Sequence, residues 1–154
     1  MIVRLVLDTN VVVSALIWGG SPRQVVALAL RPDVALFTSD ALQDELRRVL
    51  ARSRFAASLS SSERLVEKAA YGIVMAAKSV HVSHVPRVVP SDPDDDIVIA
   101  TAVAADADVI VTGDRDLLSL DPHGTIRILA ASPALRFVRK ALGMASLHRV
   151  PRTH

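Results

Sequence analysis

Ile2–Leu7 constrains this chain more than any other segment. It is a β-branched and apolar run, broken only by Arg4, and it stops at Asp8. Such a run reads as a buried β-strand. Asp8 or Thr9 suits the N-cap of a helix over Val11–Trp18, which Gly19-Gly20 ends. Pro22 fits the first turn of a second helix, to Leu30. The alternation then continues. Val34–Phe37 predicts a strand, and Asp40 caps a helix to about Arg52. Ser60 and Glu63 have capping-box spacing for a helix to about Lys78. Val80–Val82 predicts a short strand, and the proline-bearing stretch Val85–Pro93 a loop. Asp94 or Asp95 caps a helix through Ala105. Strands follow at Val109–Thr112 and Ile126–Leu129, and Pro133 opens a last helix that Gly143 ends.

Strands alternating with helices predict an α/β fold, a parallel sheet covered on both faces. The expected organisation is one domain over 1–154. A chain of 154 residues with 51% hydrophobic composition can build a core of its own. It has no cysteine, which excludes a disulfide framework, thiolate metal sites and a cysteine nucleophile. The longest apolar stretch, Ile97–Ala105, is far shorter than the ~20 residues needed to span a bilayer. Arg4 and Asp8 interrupt any signal-peptide core. A cytoplasmic protein with no membrane partner is expected. Residues 131–154 hold Arg136, Arg139, Lys140, Arg149 and Arg152 without an acid, leaving 1–130 at −3. A basic end on a mildly acidic body permits a nucleic-acid partner and equally reads as a solvated terminus. Five aromatics in all argue against a base-stacking platform.

In a parallel sheet, ligands sit beyond the carboxyl ends of the strands. Asp8 stands where the first strand stops, and Asp114 and Asp116 follow the strand ending at Thr112. Asp96 lies in the first turn of its helix, where the helix dipole favours an anion. At roughly 100° per residue, Glu45 lies about 40° from Val49, on the rim of the apolar face of its helix. Asp44 lies opposite, toward water. Carboxylates sharing one cleft must either protonate or hold a cation. Oxygen donors with no Cys or well-placed His select Mg2+ or Mn2+, and phosphodiester hydrolysis uses what such an ion offers. Taken singly, each acid also reads as a helix cap, a turn former or a solvated charge.

At these residues the chain resembles a PIN domain, the nuclease fold of VapC-type toxins. The matching segments are Leu7-Asp8-Thr9-Asn10-Val11 and Glu45-Leu46-Arg47-Arg48-Val49-Leu50. They continue with Asp94-Asp95-Asp96 ahead of Ile99-Ala100-Thr101-Ala102, and end with Val111-Thr112-Gly113-Asp114-Arg115-Asp116-Leu117-Leu118. The match runs over about 2–130. The basic helix and tail at 131–154 lie beyond it. The Ser21-Pro22-Arg23 step and the Asp92–Asp96 run look closest to a toxin-component subgroup of that family.

The resemblance implies a Rossmann-like sheet of about five strands with helices on both faces. It also implies a Mg2+-dependent (or Mn2+-dependent) endoribonuclease, the toxin of a type II toxin–antitoxin pair. Asp8, Glu45, Asp96 and Asp114 would form the catalytic quartet. Asp8, Asp96 and Asp114 would hold metal with Asp116 accessory, and Asn10 and Thr112 would orient the site. Asp94 or Asp95 could share the role of Asp96. Implied partners are RNA, a cognate antitoxin and a second copy in a homodimer. Implied products are a 5′-phosphate and a 3′-hydroxyl. The alternative is an inactive PIN-like module that binds RNA or protein. A haloacid-dehalogenase-like phosphatase would need an Asp where Asn10 stands, and a receiver-like domain a Lys where Ala130-Ala131 stands. His81 and His84 lack a third ligand for zinc. Trp18 is read as a core or dimer residue.

Overall fold

The computed structural model describes residues 2–53, 61–83 and 93–144. The strands are β1 (Val3–Leu7), β2 (Val34–Thr38), β3 (Lys78–Ser79), β4 (Val109–Val111) and β5 (Arg127–Leu129). They form one five-stranded sheet in the order β3-β2-β1-β4-β5, and every pairing is parallel. The helices are α1 (Thr9–Ile17), α2 (Gly20–Ala29), α3 (Asp40–Ser53), α4 (Ser61–Ala76), α5 (Pro93–Ala104), α6 (Arg115–Leu118) and α7 (Ala131–Ala141). The expected parallel α/β architecture is thus present.

The strand pleat divides the core in two, because successive side chains point to opposite faces. Val3, Leu5 and Leu7 of β1 join Val34, Leu36, Val109 and Val111 under α1, α2, α4 and α7. Val6 joins Ala35, Phe37, Ile110 and Ile128 under α5 and Leu117 of α6. Strands β1 and β4 are apolar at nearly every position because both faces are covered. Among the described residues no single helix is long and apolar enough to cross a membrane.

Four local expectations are corrected. The third strand pairs at Lys78–Ser79, not Val80–Val82. Helix α4 ends at Ala76, and the chain reaches the sheet edge at once, with Lys78 beside Phe37 and Ser79 beside Thr38. Exposed polar residues suit that edge position. Helix α3 is capped by Ser39 rather than Asp40, since the Leu42 amide donates to Ser39 Oγ at 3.3 Å. Pro93 begins α5 instead of ending a loop, as a helix's first position permits. Trp18 is 84% exposed and so is no core residue. The Ser60 capping box, His84, positions 85–92 of the expected Val85–Pro93 loop, and the basic residues Arg149 and Arg152 lie outside the described residues.

The chain leaves β1 to one side for β2 and β3, then returns on the other side for β4 and β5. The carboxyl ends of β1 and β4 therefore flank the point where strand order reverses, the place where open parallel sheets bind ligands.

Candidate metal centre

Asp8 leaves the carboxyl end of β1, and its amide extends the ladder by donating to the Val111 carbonyl at 2.9 Å. It occupies the N-cap position of α1 in extended backbone, but its side chain makes no cap hydrogen bond. Its main-chain carbonyl accepts the first helical bond, from Val11 at 3.0 Å. The carboxylate is turned to the neighbouring strand, where Oδ2 accepts from the Thr112 hydroxyl at 2.7 Å. Capping alone does not account for that direction. The same Thr112 oxygen accepts from the Asp114 amide at 3.0 Å. One fully buried hydroxyl thus joins the acid after β1 to the loop after β4.

Asp114 caps α6, with Oδ1 accepting from the amides of Asp116 at 2.8 Å and Leu117 at 3.3 Å. It is therefore a turn former, and that bonding fixes its direction. Leu117, fully buried, anchors the short helix against the second core. Asp95, in the first turn of α5, approaches from the adjacent helix start. One carboxylate oxygen each from Asp95, Asp114 and Asp116 lie within 4.8 Å of one another. Asp95 is buried, Asp114 half-buried and Asp116 exposed, so the cluster has a closed floor and an open mouth.

The family resemblance gives Asp96 this role and leaves Asp94 and Asp95 able to share it. Asp95 is the one in the trio. Asp96 is 1% exposed and is not among the three. The Asp94 side chain lies outside the described residues. Glu45 is buried, as its helix position predicts, while Asp44 is exposed and paired with Arg47 at 2.7 Å. Glu45 Oε2, Asp95 Oδ2 and Asp96 Oδ2 are sealed from solvent and accept no hydrogen bond among the described residues, although each residue makes other contacts. Asn10 is exposed in the first turn of α1. A buried hydroxyl pair stands apart from the expected residues. Ser39 Oγ and Thr101 Oγ1 lie 2.8 Å apart in the core and tie the start of α3 to α5. The signal for them was a serine ahead of Asp40 and a lone hydroxyl inside the apolar run of α5.

Burial pushes the Asp8 carboxyl above the ordinary carboxylate range, and the charge of Asp114 adds to this. The Thr112 hydroxyl and the amides of Asn10 and Thr9 oppose it without cancelling it. A raised native value means that the folded chain binds more protons than the unfolded one. The ionised Asp8 therefore weakens the metal-free fold as pH climbs above about 3.9, the ordinary Asp value. Asp8→Asn, which keeps an acceptor for Thr112, is expected to raise the melting temperature of the metal-free protein more at pH 7 than at pH 4. Equal shifts at both pH values would contradict this.

A cluster made only of carboxylate oxygens fits a hard divalent cation, and nothing in it favours a softer one. The chemistry of these donors therefore suits Mg2+ or Mn2+.

The profile of the PIN domain family matches residues 4–116. An uncharacterised protein of Methanocaldococcus jannaschii is 31% identical over 122 residues, covering 77% of this chain and 75% of that protein. Among solved structures, the fold is similar to VapBC2 from Rickettsia felis, determined bound to a DNA fragment from its promoter. There the TM-score is 0.58 at 13% identity, over 82% of this chain and 98% of that one. It is also similar to PAE2754 from Pyrobaculum aerophilum, with a TM-score of 0.62 at 16% identity over 92% and 99%. At such identities the two structures bear on the fold alone.

Proposed function

This chain belongs to the PIN domain family, and from that premise we propose that it is a Mg2+- or Mn2+-dependent endoribonuclease, the toxin of a type II toxin–antitoxin pair. PIN domains are generally metal-dependent nucleases. The observation that carries the reading to this chain is the convergence of Asp95, Asp114 and Asp116 at the switch point of the sheet. These three would hold the ion, with Asp8 beside them through Thr112. Asp96 and Glu45 supply further buried acid to the chain's functional set. When bound, the ion supplies charge stabilisation at a phosphoryl oxygen and acidifies a water molecule.

The chain's own groups then have separable tasks. Thr112 holds Asp8 and Asp114 in one orientation. The α6 cap directs Asp114 and Asp116 toward Asp95. Glu45 or Asp114 would take the proton of the attacking water or position a second ion. The water oxygen bonds to phosphorus, the phosphorus–O3′ bond breaks, and the leaving oxygen takes a proton from solvent. A 5′-phosphate and a 3′-hydroxyl result. Ile17 and Trp18 expose an apolar end of α1 that fits a protein partner, the antitoxin or a second copy.

The test is incubation of the purified chain with total RNA in Mn2+, Mg2+ or chelator. Cleavage in either metal and none in chelator is expected. RNA bound but intact in every condition would instead support the inactive binding module.

A further inference from the structure

Resting on the nuclease reading above, we infer that Arg115 grips the RNA backbone at the phosphate next to the scissile one. Arg115 stands between two members of the carboxylate trio in sequence and is exposed. Among the described residues its guanidinium makes no hydrogen bond or ion pair, despite an acid on either side. Helix geometry explains this. At roughly 100° per residue, Arg115 lies about 160° around α6 from Leu117. Leu117 is fully buried, so Arg115 points away from the core. Asp114 meanwhile is directed back to its own helix amides.

The need for a cation here is electrostatic. An RNA strand laid across the trio carries phosphates on both sides of the one being cleaved. Those neighbours cross a rim of carboxylates whose own charge repels them. An exposed guanidinium one residue from both Asp114 and Asp116 offsets that repulsion, and its planar fork suits two phosphate oxygens at once. By contrast, Arg47 on α3 is already engaged by Asp44. In this role Arg115 binds substrate and leaves the metal-holding carboxylates unchanged.

The probe is a short single-stranded oligoribonucleotide in Ca2+, its intact length checked on a gel, with affinity measured across a salt series. Arg115→Ala is expected to weaken binding about tenfold and to flatten the slope of log affinity against log salt by about 0.7–1. Arg115→Lys keeps the charge and is expected to recover the slope but only part of the affinity. In Mn2+ cleavage assays, Arg115→Ala raises KM with little change in kcat. An unchanged salt slope in Arg115→Ala would overturn the inference, whether or not the wild type cleaves RNA. Loss of Mn2+ stabilisation in Arg115→Ala would also overturn it, by making the residue a support for the carboxylates. A flattened slope without cleavage in any metal would uphold Arg115 as a phosphate contact and defeat the nuclease reading.

Discussion

Asp114→Asn is expected to lower RNA hydrolysis by about a thousandfold or more while leaving the fold intact. Asn is as good an N-cap as Asp, so the bonds to the amides of Asp116 and Leu117 survive the change. The negative charge does not, and on the proposed reading one anionic ligand to the ion goes with it. A held ion supplies several kcal/mol at the phosphoryl group, and each 1.36 kcal/mol is a factor of ten in rate. Asp95→Asn is expected to act alike, since Asp95 is the buried member of the same trio. Circular dichroism and melting curves of the metal-free variants check the fold, and gel-resolved cleavage rates in Mn2+ check the loss. Wild-type rates in either variant would remove that residue from the metal centre.

Leu117→Ala is expected to be the most damaging single change to stability near the site. Leu117 is fully buried in the second core, where Ile110 and Ile128 also lie. Truncating such a leucine costs about 2–5 kcal/mol, from lost transfer energy and the cavity left behind. For a chain of this size the melting temperature should fall on the order of 10 °C. Helix α6 has only four residues and rests on that side chain. Loosening it also loosens Asp114 and Asp116, so Mn2+ stabilisation should shrink along with Tm. A Tm unchanged within about 1 °C would mean that α6 is held by its backbone cap alone.

Much of this architecture is legible in the residues because burial and period speak together. Strands β1 and β4 are apolar on both faces, which only a covered parallel sheet demands. Glu45 and Asp44 are one residue apart, and the helical wheel alone sorts them into buried and exposed. Which of Asp94, Asp95 and Asp96 lies beside Asp114 and Asp116 is harder to read from the residues. Three consecutive acids stand at a helix start, and each step of about 100° points a carboxylate elsewhere. The choice depends on where α5 sits against β4, and that is set by tertiary packing. Strand β3 was misplaced because it is two residues of edge pairing with no apolar signature. Helix α6 was invisible for a similar reason, as four residues carry no period. Asp8 shows the opposite case. Its N-cap position was legible, but the turn of its carboxylate toward Thr112 depends on a strand 104 residues away.

The most direct test is a crystal soaked in Mn2+ and measured for anomalous scattering. A peak is expected beyond the carboxyl ends of β1 and β4, roughly 2 Å from oxygens of Asp95 and Asp114. Asp116 should complete the contact from the open side. A fully soaked crystal with no peak between these side chains, or with manganese bound only elsewhere, would contradict a metal centre at this edge of the sheet.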